Sequence, residues 1–177
     1  MGGLVGVELK ITIGVIAMQI KFPFDSTKPV AGQASIDIDK PLREVFSYIG
    51  EGFFDNYPKW AVEVVDFKPL DGKQVFVGAK ARQIRKDNDT QIESVFAITD
   101  YQPCVKLVFK GLDEPYKHSY LLEGDQKSPP TRLTFRFELL DLEVFMRPFE
   151  KLIRYAIEEG AENTVENIKN LITAECN

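Results

Sequence analysis

Residues 147–173 have the sequence RPFEKLIRYAIEEGAENTVENIKNLIT, in which apolar or small side chains recur at helical spacing. Glutamates fall largely between them, so this stretch predicts an amphipathic helix of roughly 40 Å. Pro148 marks the start of this helix, because proline is tolerated in the first turn. A single hairpin cannot bury a face of that length, and the preceding chain must supply a broad partner. The apolar or small set is Phe149, Ile153, Ala156, Ile157, Gly160, Ala161, Thr164, Ile168, Leu171 and Ile172.

The preceding residues predict that partner. A short strand at 34–38 is followed by Asp39, which can cap a helix over 42–49, and a second short helix lies at about 52–56. Six alternating segments bounded by turn residues then predict strands. Because Leu133, Phe135 and Phe137 share one face of the last strand, the sheet is expected to be antiparallel with one covered face. The six segments are 62–69, 74–86, 90–99, 104–110, 116–123 and 131–140.

The composition limits the function classes. A chain of 177 residues suits one domain with a sizeable core, and 13 phenylalanines can fill a core or line an apolar cavity. A net charge of −5 gives no electrostatic case for nucleic acid. The sequence contains no run of 18 uncharged apolar residues, so no transmembrane segment is predicted. Cys104 and Cys176 form neither a disulfide framework nor a metal knuckle, which favours reduced thiols in a cytoplasmic protein.

The N-terminal segment lies outside the pattern of helices and strands described above. Apolar residues alternate from Val5 to Val15, which is typical of a strand. This segment is either an extra strand or an addition upstream of a natural start at Met18. Residues 21–32 contain two prolines and Gly32 and predict an irregular lead-in. We therefore divide the chain into an extension at 1–32 and one domain at 33–175.

Six motifs, in this order and spacing, resemble the polyketide cyclase/dehydrase-like branch of the START-like (SRPBCC) superfamily over residues 34–171. They are ASIDIDKPLREVFSYI, FFDNYPKWAVEVVDFKPL, VFVGAKARQI, ITDYQPCVKLVFKG, YKHSYLLEG and TRLTFRFELL, followed by the terminal helix. The resemblance implies an α+β helix-grip fold, in which a curved seven-stranded antiparallel sheet wraps around the long helix. It also implies two short helices between the first and second strands, and an apolar cavity. The activities of the superfamily range from binding of lipids and other hydrophobic molecules to polyketide cyclisation and chaperone co-activation.

Residue counts exclude several chemistries. His118 is the single histidine, whereas a two-histidine iron site and a Rieske centre each need two. No G-x-S-x-G nucleophile motif is present. The Asp71-Gly72-Lys73 turn lacks the rest of a phosphate-binding loop. The sequence therefore predicts no metal and no cofactor.

Alternation along the strands predicts which side chains line the concave wall. In the segment 74–86 we expect Ala79, Ala81 and Gln83 to point inward and Arg82 to lie in water; the opposite register would place Arg82 in the cavity. The candidate ligand-binding residues are Tyr57, Trp60, Ala81, Gln83, Phe96, Phe109, Tyr116, His118, Tyr120, Phe135, Phe137, Phe149, Ile153, Ala156, Ile157 and Gly160.

Three of these positions have open alternatives. His118, between Tyr116 and Tyr120 in the alternation, is a hydrogen-bonded wall residue, a donor that orients a ligand, or a general acid or base. Gly160 allows close approach of the sheet or a ligand, or reflects local packing. The aromatic residues 53–60 form core at the helix–sheet junction or a hydrophobic gate.

The leading hypothesis is a non-catalytic protein that binds a hydrophobic or aromatic small molecule, such as a lipid or polyketide-like compound, with His118, Tyr120 and Gln83 as polar anchors. One alternative is a cyclase-type enzyme, which requires Arg82 or the His118 cluster beside a general base. Another is an interaction module that docks a protein on the sheet or the N-terminal strand. The oligomeric state stays open.

Overall fold

The structure, a computed structural model, describes residues 28–87 and 90–174. Its described strands form one antiparallel seven-stranded sheet with the order β1-β7-β6-β5-β4-β3-β2. The predicted sheet is confirmed. The strands are β1 Val30–Ile38, β2 Val64–Pro69, β3 Lys80–Asp87, β4 Thr90–Gln102, β5 Lys106–Gly111, β6 Tyr116–Gly124 and β7 Thr131–Leu139.

Two short helices lie between the first two strands. Helix α1, Leu42–Phe46, continues into a π-helical turn at Ser47–Glu51, and α2 spans Phe53–Trp60. The long helix α3 spans Glu150–Ala174 after a 3-10 turn at Val144–Phe149. At 1.5 Å per residue α3 is about 37 Å long, as predicted. The curved sheet, the helix pair and α3 together are the helix-grip architecture.

The core lies between α1, α2 and the concave face of the sheet. The side chains of Val45, Ile49 and Phe53 are fully buried there. Alternation explains this face, because the inward residues of these strands are on the whole more buried than their neighbours. Among the described helices, none has the length and apolar character needed to cross a lipid bilayer.

Four local predictions were wrong. Strand β1 begins at Val30 instead of residue 34, so Gly32 lies within it. A Cβ at Gly32 would lie 2.9 Å from the backbone nitrogen of Glu158, so this glycine allows α3 to approach closely, whereas we assigned it to an irregular lead-in. Strand β3 begins at Lys80 instead of residue 74, after Gly78 with its φ of 101°.

The other two errors concern a turn and a helix cap. Cys104 lies in the β4–β5 turn with a φ of 59°, half-buried, not in a strand. Helix α1 is preceded by Pro41 at its N-cap with no side-chain cap, so the expected Asp39 cap does not form. The predictions for residues 1–27, including the extra strand, lie outside the described part of the chain.

Candidate functional site

The concave wall is built of cross-strand rows. One row joins Gly32, Phe137, His118 and Phe109 across β1, β7, β6 and β5. The next joins Ala34, Phe135, Tyr120 and Leu107. Directly opposite residues of antiparallel strands point to the same face, so both rows line one surface. Phe109, His118, Tyr120 and Phe135 are all buried.

Strand β3 has the predicted orientation. Ala81 and Gln83 are fully buried on the concave side. Arg82 lies on the other face, where it forms ion pairs with Asp66 and Glu93. The register that would place Arg82 in the cavity is excluded.

Gln83 is the centre of a buried hydrogen-bond network. The Tyr57 hydroxyl donates to Gln83 Oε1 at 2.9 Å, and Gln83 Nε2 donates to the Tyr116 hydroxyl at 2.9 Å and to Ser94 Oγ at 3.3 Å. Burial raises the pKa of the Tyr57 and Tyr116 hydroxyls, so both stay protonated and able to donate. This network satisfies the polar atoms of Gln83 with the protein's own groups.

Helix α2 supplies the aromatic residues expected at a core or a gate. Trp60 Nε1 donates to the Tyr120 hydroxyl at 3.2 Å, and burial raises the pKa of Tyr120. The Phe53 ring packs 5.1 Å from Tyr57 and 5.5 Å from Phe109, centroid to centroid. Both Tyr57 and Trp60 are buried. These contacts are those of core residues at the helix–sheet junction.

His118 differs from its neighbours. Its side chain is 7% exposed, yet neither Nδ1 nor Nε2 has a hydrogen-bond partner among the described residues. The expectation of a hydrogen-bonded wall histidine is therefore not met. Three phenylalanine rings surround the imidazole, with centroids at 4.5 Å for Phe109, 4.9 Å for Phe137 and 5.4 Å for Phe135.

The charge state of His118 follows from this apolar environment. Burial, together with the positive charge of Arg85, lowers the pKa of His118 to about 3. The imidazole is therefore neutral at physiological pH, with one N–H donor and one lone-pair acceptor. Arg85 itself pairs with Glu114 at 2.8 Å and lies 5.1 Å from the centroid of the Tyr116 ring. We overlooked Arg85 in the sequence, although alternation from Ala81 and Gln83 places it on the same face.

Helix α3 packs differently along its length. Its second half buries Ala161, Val165, Ile168 and Ile172. In the first half and the preceding turn, Phe149, Leu152 and Tyr155 are more than half exposed. The predicted cavity face of the helix does not pack tightly against the sheet. Ile153 and Ile157 are half-buried, and Phe149, Ala156 and Gly160 are exposed.

The contacts of the second half of α3 show which way the row that contains Ile153, Ala156 and Gly160 points. Residues 153, 156, 160, 164, 167 and 171 recur at helical spacing. At the far end of this row, Asn167 Nδ2 donates to the Trp60 carbonyl oxygen at 3.3 Å, and Leu171 packs against the core. At the near end no atom lies within 4 Å of a Cβ built at Gly160. Close approach of the sheet therefore does not explain this glycine.

The first half of α3 is instead held against the edge strand β1. Arg154 donates to the Ala31 carbonyl oxygen at 2.9 Å, and Ile157 contacts the Gly32 position. Arg147, just before α3, donates to the Lys28 carbonyl oxygen at 3.2 Å. The helix thus spans β1 at the level of the row that contains His118, while its face towards the wall stays open in the described structure.

A second concavity of about 490 Å³ lies on the opposite, convex face of the sheet. Its charged groups are mutually paired, as in the contact of Lys117 with Glu138 at 2.8 Å. It contains none of the predicted site residues. It is lined by Thr99, Asp100, Lys106, Val108, Lys117, Ser119, Leu121, Arg136 and Glu138.

No protein-family model and no curated protein matches the chain. Solved structures do match it. The Zhui aromatase/cyclase from a Streptomyces species superposes with a TM-score of 0.68 at 7% identity, covering 85% of this chain and 97% of that one. The TTHA0849 protein from Thermus thermophilus gives 0.66 at 12% identity, with coverage of 83% and 99%.

A third match is the di-domain aromatase/cyclase StfQ from the steffimycin biosynthetic pathway. Its TM-score is 0.64 at 12% identity, and the match covers 84% of this chain and 52% of the two-domain protein. At such identities the similarity concerns the fold. The chain therefore has the helix-grip fold that these aromatase/cyclases also have.

Proposed function

We propose that this helix-grip protein binds a hydrophobic or aromatic small molecule, lipid or polyketide-like, between the concave wall and the first half of α3, and does not transform it. The observation that carries the proposal is His118, a buried imidazole without a hydrogen-bond partner among the described residues. A buried polar group without a partner costs about 1–3 kcal/mol of stability. A ligand that supplies the partner explains why the wall contains such a group.

The surroundings of His118 support an apolar ligand. The row around it is aromatic, and the face of α3 that looks towards it carries Ile153, Ala156 and Gly160, which leave room. A cavity with apolar walls and few polar groups is what binding of a small molecule requires. The proposed wall consists of Phe109, Tyr116, His118, Tyr120, Phe135 and Phe137, opposite Phe149, Ile153, Ala156, Ile157 and Gly160.

The polar anchors are fewer than the sequence suggested. Gln83 already has hydrogen-bond partners on both its amide oxygen and its amide nitrogen. The Tyr120 hydroxyl already accepts from Trp60. Tyr57, Trp60, Ala81 and Phe96 lie with them in the packed part of the wall, so we assign them to the support of the cavity. His118 is then the principal anchor.

A cyclase-type enzyme is the alternative, and the structural similarity to two aromatase/cyclases favours it. The local geometry favours binding alone. An imidazole with a pKa of about 3 is poorly matched to proton transfer at neutral pH. Arg82 points away from the wall, and Arg85 is paired with Glu114. Turnover of a polyketide-like substrate by the wild type that is lost in His118→Ala would favour the enzyme, whereas saturable binding without turnover by the wild type would favour binding alone.

The test uses the full chain and a neutral fluorescent probe, N-phenyl-1-naphthylamine. We expect saturable one-to-one binding, and mass spectrometry under native conditions should detect any hydrophobic molecule that co-purifies. Ala156→Trp should fill the space opposite the wall and weaken probe binding by about tenfold or more.

Glu162→Trp is the matched control, because it adds the same side chain to an exposed position of the same helix. It should bind the probe like the wild type. Binding by Ala156→Trp with unchanged affinity, or no saturable binding to the wild type, would contradict the proposal.

A further inference from the structure

We infer that the cavity selects ligands that carry an uncharged hydroxyl group on an aromatic body, and that His118 is the residue that makes this selection. This inference rests on the proposed binding function and goes further, because it names the chemical group that is recognised. It starts from two polar atoms, Nδ1 and Nε2, that are buried and have no partner in the described ranges.

The hydrogen-bonding capacity of the ring indicates a hydroxyl. A neutral imidazole offers one donor and one acceptor, and a hydroxyl group can both accept and donate. A carbonyl could use only the N–H, and a carboxylate could also use only the N–H. A hydroxyl can pair with either nitrogen, whichever tautomer is present.

The nearby phenylalanine rings do not replace such a partner. Phe135 and Phe137 stand at 79° and 67° to the imidazole plane, so a ring face can meet an N–H only in a weak contact of N–H···π type. The lone pair of the other nitrogen gains nothing from an aromatic face. Phe137 is half-buried and lies between His118 and β1, the strand against which α3 packs, so it is the ring that a ligand would displace.

The apolar surroundings of His118 disfavour an anion. Arg85 is paired with Glu114 at 2.8 Å. On the side of α3, Arg154 pairs with Glu150 at 3.0 Å, and Arg147 pairs with the same carboxylate at 3.3 Å. These two arginines share one carboxylate, and each also donates to a backbone carbonyl oxygen of the edge segment, Arg154 to Ala31 and Arg147 to Lys28. A carboxylate brought to His118 would lose its hydration among phenylalanine rings, and the neutral imidazole could offer it only one N–H.

Three naphthalene probes test the inference at neutral pH: 2-naphthol, its isostere 2-methylnaphthalene, and the anion 2-naphthoate. We expect the wild type to bind 2-naphthol about fivefold more tightly than 2-methylnaphthalene, which corresponds to one net hydrogen bond. The anionic 2-naphthoate should bind at least about tenfold more weakly than 2-naphthol. Quenching of Trp60 fluorescence or calorimetry measures all three.

His118→Phe should bring the ratio of the 2-naphthol and 2-methylnaphthalene affinities to about one, while 2-methylnaphthalene still binds. His118→Gln retains a donor and an acceptor and should keep part of the preference, which provides a second variant if the first folds poorly. Ser119→Ala, on the opposite face of the same strand, is the control and should keep the full preference.

The outcomes separate the two proposals. Equal binding of all three probes by the wild type, or an unchanged preference in a folded His118→Phe, would overturn the selection by His118 and leave the binding function standing. Failure of every probe to saturate the wild type would contradict the binding function itself. Tighter binding of 2-naphthoate than of 2-naphthol would overturn the inference, because it would show that a cation, and not the neutral imidazole, recognises the ligand.

Discussion

Gln83 and His118 are two polar residues on the same concave wall that differ in their hydrogen bonding. Both point inward from strands of one sheet, and both are buried. Gln83 has three hydrogen-bond partners, one of which, Tyr57, comes from α2. His118 has none among the described residues.

The difference follows from what covers each end of the wall. Helix α2 lies over the Gln83 end and supplies a hydroxyl and aromatic rings. The first half of α3 rests on β1, at the edge of the wall, so His118 receives no polar group from it. One end of the interior is therefore a packed core, and the other end is where we propose the binding site.

Removal of the Gln83 amide is expected to have the largest effect on this comparison. Gln83→Leu would leave the buried Tyr57 hydroxyl without its acceptor and the Tyr116 hydroxyl with only the 3.4 Å contact to Ser94 Oγ. We expect the free energy of unfolding to fall by about 3 kcal/mol, since each unpaired buried group costs about 1–3 kcal/mol. Urea denaturation measures it, with Gln33→Leu on the exposed face of β1 as the control. A loss below about 1 kcal/mol would show that the network is not needed to stabilise this end.

The second largest effect is expected from acidification, which should lower the free energy of unfolding through His118. The pKa of His118 is about 3 in the folded protein, against an ordinary value of 6.5. As the pH falls from 6.5 towards 3, the unfolded chain gains a proton there that the folded protein does not, so the wild type loses stability over that window. The loss approaches about 1.4 kcal/mol per pH unit well below the ordinary value.

His118→Phe should lack this component of the pH dependence. The free energies of unfolding of the two proteins should therefore diverge by about 2 kcal/mol between about pH 6.5 and about pH 4.5. The carboxyls of Asp37 and Glu138, whose pKa values are lowered by arginine and lysine partners against the effect of burial, are present in both proteins and largely cancel. Parallel stability curves for wild type and variant would contradict a neutral, desolvated His118.

At neutral pH, His118→Phe should raise the free energy of unfolding, whereas Gln83→Leu should lower it. His118→Phe replaces an unpaired polar ring by an apolar one beside Phe109, so we expect the unliganded protein to gain about 1 kcal/mol. Thermal unfolding of ligand-free protein measures this. Destabilisation would mean that the imidazole already has a favourable role in the empty protein.

The sequence could predict the wall but not the difference between its two ends. Alternation places Gln83 and His118 inward equally well, because period two depends on each strand alone. Whether an inward polar group finds a partner depends on the helix that crosses it. The contact of Tyr57 with Gln83 joins residues 26 positions apart, and local pattern contains no information on such a pair.

The long helix shows the same limit. Its existence and length follow from the spacing of apolar residues, but the spacing did not reveal that only Ala161, Val165, Ile168 and Ile172 are buried. The position of α3 is set partly by Gly32, more than a hundred residues earlier, which lets the helix rest on β1. We assigned Gly32 to an irregular lead-in because close approach between distant elements is not visible in a local window.

Gly160→Ala should have the smallest effect and tests the open end of the comparison directly. No atom lies within 4 Å of the Cβ position, and the residue is inside α3, so alanine should stabilise the protein by about 0.5–1 kcal/mol through helix propensity alone. Chemical denaturation measures the change. Gly32→Ala is the informative contrast, because its Cβ would lie 2.8 Å from Glu158 Cγ and 2.9 Å from the Glu158 backbone nitrogen, and it should destabilise the protein by pushing α3 off β1. If Gly160→Ala also destabilised the protein, the first half of α3 would be packed against another part of the chain, and the space assigned to the ligand would already be filled.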